Sequence, residues 1–234
     1  MKKILLYSFL LTLFFGVTSC DKESEDVSTL TSYVTIVLEG DDVVFHPKGT
    51  AWVDPGFTAT ENGVDVAAGV VATVPDTDNI GSYTLTYSAV NSDGFAGSVS
   101  RKVVVYTPGL STTDISGTYT ADVYRTRSDG GSDVNFAGNE VVISKTSVDG
   151  LYYISDWIAG FYSTGYGYGG GYAFTGYFEM VSDTEFNHIE SSNPWNDPAD
   201  EVINWSSDAG AGTLGYHFMW LGKYDFAVTM TKVE

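Results

Sequence analysis

Apolar residues recur at every second position along most of this chain, and Gly, Asp, Asn or Pro interrupts them roughly every ten residues. Successive side chains of a β-strand point to opposite faces, so this spacing is typical of strands with one buried face. Turn signals such as Asn62-Gly63 supply the positive φ angles that tight hairpins need. The sequence therefore predicts an all-β fold without long amphipathic helices.

The N-terminal part, residues 31–107, has the pattern of a small sandwich. Its strand candidates are residues 33–38, 70–74, 82–90 and 98–106. Along the third candidate, Tyr83, Leu85 and Tyr87 fall on one face. About six or seven short strands in this length, without a disulfide, predict an immunoglobulin-like β-sandwich domain.

A second domain is predicted over residues 117–234, after a polar linker at residues 108–116. The alternation restarts there, with Tyr119, Ala121 and Val123 on one face. Its strand candidates are residues 117–127, 140–145, 151–156, 172–181, 185–190, 201–206, 213–220 and 224–232. About seven or eight antiparallel strands joined by Gly-rich turns predict a β-barrel or a sandwich.

The first 19 residues have the anatomy of a signal peptide, with two lysines, a short apolar run and small residues before Cys20. A cysteine at the cleavage point predicts a lipoprotein that carries its lipid on Cys20, and simple secretion is the alternative. Residues 20–30 are expected to form a tether. Their acidic run, residues 21–26, resembles the surface-export tags of Bacteroidetes lipoproteins, which implies a lipid-anchored, surface-exposed protein of the outer membrane.

Acidic residues outnumber basic ones by 30 to 11, and the chain carries a net charge of −19. Nucleic-acid binding draws on basic groups at the phosphates, so this charge argues against a nucleic-acid partner. It also argues against binding to anionic lipids, so we expect membrane contact only through the anchor on Cys20. Because Cys20 is the sole cysteine, no internal disulfide can form. We also expect no cofactor.

Three segments carry a resemblance to the bacterial Ig-like domains of surface proteins: residues 51–59 (AWVDPGFTA), 81–94 (GSYTLTYSAVNSDG) and 101–106 (RKVVVY). This resemblance implies a spacer or adhesive module. With its lipoprotein signal and C-terminal all-β domain, the whole chain resembles Bacteroides surface lipoproteins of unknown function whose second domain is similar to a small β-barrel. That family implies an architecture and a cellular setting, and it brings no catalytic residues.

Two loops of the second domain carry the candidate ligand-binding residues. The first, residues 160–172, is rich in Gly and Tyr, the residue types of adaptable binding loops. Tyr162, Tyr166 and Tyr168 could stack on sugar rings, or the tyrosines could fold back on the barrel. In the second loop, Trp195 lies among Asn193, Asn196 and Asp197, which could bind sugar hydroxyls.

The second loop also has a purely structural interpretation, in which its prolines set turns and Trp195 closes the end of the barrel. Trp157, Trp205 and Trp220 are expected to lie in strands and in the core. Asp41-Asp42 and the acidic residues at 76–79 offer oxygen ligands but lack the spacing of a calcium loop, so no metal site is predicted.

The sequence contains no recognisable catalytic motif after the signal, and Asp197 with Glu201 is the only acid pair that we consider for a glycosidase. Three hypotheses remain. The first is a non-enzymatic accessory module that binds glycan within a polysaccharide-uptake system, with outer-membrane protein partners. The second is a structural or adhesive surface protein that binds other proteins. The third, a hydrolase, is the least supported.

Overall fold

A computed structural model of the protein describes residues 31–197 and 199–233. The signal peptide, Cys20 and the expected tether lie outside the described residues. No helix within these ranges is long and apolar enough to span a membrane. The described chain consists almost entirely of β-strands and turns, which confirms the predicted all-β fold.

The N-terminal domain is a sandwich of two sheets. Its strands are β1 (Thr35–Leu38), β2 (Val43–Pro47), β3 (Phe57–Glu61), β4 (Val64–Asp65), β5 (Val71–Ala72), β6 (Gly81–Val90) and β7 (Ala96–Tyr106). One sheet has the order β1-β3-β4 and the other β2-β7-β6-β5, in which only β2 and β7 are parallel. Leu85 and Tyr87 are buried between the sheets with Val103 and Val105, so the predicted face of β6 forms the core.

The sequence pattern did not reveal β2 and β3. Every residue of β2 is half-buried, so the strand lacks the apolar and polar alternation that marks the other strands. In β3 only Ala59 is fully buried, and a small side chain gives a weak periodic signal. Both strands are therefore defined by their pairing, of β2 with β7 and of β3 with β1.

The motif residues of this domain meet at one buried polar cluster. The carboxylate of Asp54 accepts hydrogen bonds from the Gly56 amide at 2.8 Å and from the Tyr87 hydroxyl at 2.5 Å. The buried guanidinium of Arg101 lies 3.8 Å from the same carboxylate. Burial and the bond to Asp54 raise the pKa of Tyr87 to about 12, so the phenol stays a hydrogen-bond donor.

The C-terminal domain is a single antiparallel sheet that nearly closes into a barrel. Its strands are β8 (Gly117–Arg127), β9 (Val134–Lys145), β10 (Leu151–Ile154), β11 (Gly176–Ser182), β12 (Glu185–His188), β13 (Ala199–Asp208), β14 (Thr213–Trp220) and β15 (Tyr224–Lys232). The order is β12-β11-β10-β9-β8-β15-β14-β13, and the two edge strands contact each other. Of the two architectures predicted, the barrel describes the domain.

Aromatic side chains fill the interior of this barrel. Trp157 is fully buried, and its indole nitrogen donates to the carbonyl oxygen of Glu190 at 3.0 Å. The prediction that Trp157 lies in a strand is wrong, because β10 ends at Ile154 and the indole enters the core from the following loop. Trp205 lies in β13 and is half-buried, whereas Trp220 ends β14 and is buried.

Buried hydrogen bonds join the two domains. Glu179 of β11 is fully buried and accepts bonds from the Thr107 amide at 2.7 Å and the Thr107 hydroxyl at 2.5 Å. Lys102 forms an ion pair with Glu190 across the same junction. The segment predicted as a linker packs on the barrel, because the Tyr152 hydroxyl donates to a carbonyl oxygen within it at 2.7 Å.

Candidate functional site

The Gly- and Tyr-rich loop connects β10 to β11 and covers one end of the barrel. It contains a π-helical turn, Phe161–Gly165, and a short 3-10 turn, Gly170–Tyr172. Gly160 precedes the first turn with a φ of 73°, a backbone conformation that disfavours other residues. The Gly- and Tyr-rich sequence therefore forms compact turns at this position.

Asp156 ties the two ends of this loop together. Its carboxylate accepts hydrogen bonds from the amides of Ile158 at 3.1 Å and Phe174 at 3.2 Å, and from the Ser163 hydroxyl at 2.8 Å. The group is almost completely buried, and this burial raises the pKa of Asp156 to about 6, although the hydrogen bonds oppose the rise. A single side chain thus holds the entry, the middle and the exit of the loop.

The loop presents tyrosine rings to solvent. Tyr166, Tyr168 and Tyr172 are 43%, 54% and 37% exposed, while Tyr162 is half-buried and packs against the core. The rings of Tyr162 and Tyr168 are nearly parallel, with centroids 6.2 Å apart, and those of Tyr166 and Tyr168 are 5.7 Å apart. Tyr162 thus folds onto the barrel, whereas the other three rings face outward, and stacking on sugar rings stays a prediction.

Trp195 brings the second loop against the first. Its ring is 41% exposed and lies 5.2 Å from the Tyr162 ring and 5.5 Å from the Tyr172 ring, measured between centroids. The Trp195 ring also lies 5.6 Å from the ring of Trp220 in the core, measured between centroids. We call the five rings of Tyr162, Tyr166, Tyr168, Tyr172 and Trp195 the aromatic platform. Its rings are part-exposed and form an open surface, unlike a closed pocket.

The polar residues of the second loop divide into two groups. Asn193 is buried and serves the loop itself, because its side chain accepts from the Trp195 amide at 3.0 Å and donates to the Asp197 carbonyl oxygen. Its expected role toward a ligand is therefore not supported. Asn196 is exposed and has a φ of 56°. Neither its side-chain amide nor the carboxylate of Asp197 has a hydrogen-bond partner in the described chain.

Residues that the sequence did not single out complete this end of the barrel. Tyr172 could have been included, because it lies in the same Gly- and Tyr-rich segment. Tyr224 stacks on Trp220 at 5.5 Å, and three cationic groups lie near the face of its ring. The distances to the ring centroid are 5.6 Å for Arg125, 5.2 Å for Arg127 and 4.8 Å for Lys223.

Other candidate chemistry is less well supported. The Asp76 carboxylate is engaged in its own turn, accepting from the Asp78 amide and the Asn79 side chain, both at 2.9 Å. No group of three or more His, Cys, Asp or Glu residues suited to a metal ion occurs within 31–197 and 199–233. Of the proposed acid pair, Glu201 is exposed on β13 and Asp197 lies in the preceding loop.

Two family models match the chain. A model of bacterial surface protein Ig-like domains matches residues 36–105, and a model of a C-terminal domain matches residues 108–232, more than half of the chain. Among curated proteins, none matches significantly. A similar solved structure is that of the lipoprotein BT2262 from Bacteroides thetaiotaomicron, at 35% identity over 86% of this chain and 100% of that one, with a TM-score of 0.47. Neither family match indicates an enzymatic activity.

Proposed function

Because the chain belongs to the same family as the lipoprotein BT2262, we propose that it is a lipid-anchored surface protein whose barrel binds carbohydrate on the aromatic platform. In this proposal Cys20 carries the lipid and holds the chain at the outer membrane. The Ig-like domain is the spacer, and the barrel is the recognition module. The protein would act as an accessory component of a polysaccharide-uptake system.

The observation that carries this proposal is the meeting of two loops at one exposed aromatic surface. Sugar rings present C–H groups that pack on aromatic faces, and Tyr and Trp offer rigid apolar area at low entropic cost. A few oriented polar groups beside such a surface supply specificity. Asn196 and the Asp197 carboxylate are available for this role, since the described protein leaves their side chains without hydrogen-bond partners.

A second candidate function is adhesion to another protein. The platform is open, and Leu221, in the turn that follows Trp220, is 45% exposed. Exposed apolar surface of this kind also suits a protein partner, in which Tyr and Trp would act as binding hot spots. The two functions differ in the ligand, so a direct binding measurement separates them.

The test is a glycan-array screen of the chain from Asp21 onward, which keeps both domains. We expect wild-type protein to bind a defined set of glycans and the triple variant Tyr166→Ala, Tyr168→Ala, Trp195→Ala to lose that binding. The matched control is Tyr33→Ala with Phe95→Ala, which removes exposed rings from the Ig-like domain. Absence of binding by folded wild-type protein, or binding retained by the triple variant, would refute the proposal.

A further inference from the structure

A basic cluster adjoins the aromatic platform in a chain that is otherwise strongly acidic. The basic cluster consists of Arg125, Arg127 and Lys223, whose cationic groups surround the ring of Tyr224. The chain has only 11 basic residues against 30 acidic ones, so three cations around one ring are a local departure from its composition. A patch of positive charge on a negative protein creates a local field that attracts anions.

The cluster keeps an excess of positive charge. Asp129 is the one carboxylate within ion-pair distance of it in the described chain, and it accepts two hydrogen bonds from Arg127 at 2.8 and 2.7 Å. The same carboxylate lies 3.7 Å from Lys223. The neighbouring Asp225 is engaged by His217 at 2.9 Å. One carboxylate therefore serves two cations, and Arg125 is left without any.

Arg125 is the most unusual member of the cluster. It is only 6% exposed, and its guanidinium carbon lies 5.1 Å from the Phe161 ring centroid as well as near the Tyr224 ring. One terminal nitrogen donates to the Ser132 carbonyl oxygen at 2.8 Å, whereas its Nε has no partner within the described residues. Burying a charge without a counter-ion is costly, so this arrangement favours a site that an anion completes.

Ring contacts join the cluster to the platform. Tyr224 stacks on Trp220, and Trp220 lies 5.6 Å from Trp195. Arg125 also interacts with the phenol of Tyr162, a member of the platform. Two ring contacts, through the buried Trp220, therefore connect Trp195 of the platform to Tyr224 of the cluster.

We propose that the ligand is an acidic oligosaccharide, whose sugar rings stack on the platform while its carboxylate or sulfate groups bind at the basic cluster. Arg127 and Lys223, which are partly exposed, would contact the anion, and Arg125 would supply buried positive charge behind them. This inference rests on the proposed function and names its ligand class. Positive charge on one face would also let a net-negative protein approach a polyanion.

The test compares acidic sugars with neutral counterparts of the same backbone. The probes are oligogalacturonate with its methyl ester, and a sulfated galactan oligosaccharide with its desulfated form, and titration calorimetry gives Kd. We expect at least one acidic probe to bind about tenfold more tightly than its neutral form, and the preference to weaken at high salt. Equal affinity for the acidic and neutral forms of both probes would overturn the inference.

Variants test the basic cluster itself. Arg127→Gln with Lys223→Gln should weaken acidic-probe binding about tenfold and leave neutral-probe binding unchanged. Asp129→Asn should tighten acidic-probe binding, because it removes the carboxylate that competes with the ligand. Lys145→Gln with Lys232→Gln is the matched control, since it removes equal charge away from the platform. A double variant that weakens both probes equally would contradict the inference.

The outcomes also separate this inference from the proposed function. Binding of neutral glycans that requires the platform, without any preference for acids, would keep the proposed function and overturn the inference. If the triple aromatic variant still binds acidic glycans, the ligand binds at the basic cluster, and the proposal that the platform is the binding site is overturned. Absence of binding to any glycan would overturn both.

Discussion

At the scale of single residues, two buried titratable groups give opposite dependences of stability on pH. Burial raises the pKa of Asp156 from 3.8 to about 6, so the folded state binds this proton more readily than the unfolded state. The stabilisation from protonation is full below about pH 4 and is lost as the pH rises through 6. The shift corresponds to about 3 kcal/mol.

His188 acts in the other direction. Its ring packs against the rings of Trp157 and Phe218, and its Nε2 has no partner in the described protein. Burial lowers the pKa of His188 from 6.5 to about 4. The folded state therefore binds this proton less readily than the unfolded state. Above about pH 6.5 the neutral ring of His188 costs the folded state no stability. As the pH falls to 4, the free energy of unfolding decreases by about 3 kcal/mol, because the unfolded state takes up the proton first.

We predict that these two effects nearly cancel in the wild-type protein between pH 6.5 and 4. Asp156→Asn removes the stabilisation that protonation of Asp156 provides. As the pH falls from 6.5 to 4, the free energy of unfolding of this variant should therefore decrease by about 2–3 kcal/mol more than that of wild type. Urea denaturation at several pH values measures it. The reciprocal variant, His188→Phe, should become more stable as the pH falls. Parallel pH profiles for Asp156→Asn and wild type would contradict the assignment.

At the scale of elements, Gly160 is one of the glycines that the loop between β10 and β11 requires. A Cβ at Gly160 would lie 3.1 Å from the Asn139 side chain, on a backbone with a φ of 73°. Asn139 is itself needed there, because its side chain donates to the Ala159 carbonyl oxygen at 2.8 Å. Both the backbone conformation and the space therefore select glycine at this position.

We predict that Gly160→Ala lowers the free energy of unfolding by about 1–2 kcal/mol. The proposed function further predicts that this variant binds glycan more weakly, because the loop carries three exposed rings of the platform. Gly170→Ala is the matched control, since its Cβ would meet open space and its φ is not positive. Thermal unfolding and array binding measure both effects. If the two variants behave alike, the conformation of the loop does not require glycine at position 160.

At the scale of the whole molecule, Glu179 fixes how the Ig-like domain joins the barrel. It accepts two bonds from Thr107 and a third from the Asn187 side chain at 2.8 Å. A buried carboxylate with three donors is costly to change, because the donors would be left unsatisfied. The junction therefore holds the barrel in a defined direction relative to the Ig-like domain.

We predict that Glu179→Gln places an amide against the Thr107 donors, loosens the junction and costs about 2–3 kcal/mol in barrel stability. Electron–electron resonance between spin labels, one in each domain, should show a broader distance distribution than wild type. Lys102→Gln, which removes a partly exposed ion pair at the same junction, should change stability by about 1 kcal/mol or less. An unchanged distribution in Glu179→Gln would show that Glu179 does not orient the domains.

The sequence alone determined the architecture and the family. The alternation of apolar and polar residues predicted strands at residues 213–220 and 224–232, which are the bounds of β14 and β15. It also identified the buried face of β8, because periodicity reports which face of a strand is covered. The motifs indicated an Ig-like domain and a Bacteroides lipoprotein family, and the family matches and the BT2262 relative confirm both. These are local signals, carried by residues close together in the chain.

The tertiary structure alone decided which distant residues share a surface. Trp195 meets Tyr162 because the loop between β12 and β13 packs on the loop between β10 and β11. Arg125 meets Tyr224 because β8 pairs with β15 in a register that sets Tyr224 opposite Arg127. The tertiary structure also decided that the Asn193 side chain forms hydrogen bonds within its own loop, whereas that of Asn196 is exposed, although the two residues have the same side chain. Pairing register and sheet closure are collective properties of the chain, so no local pattern encodes the platform or the cations beside it.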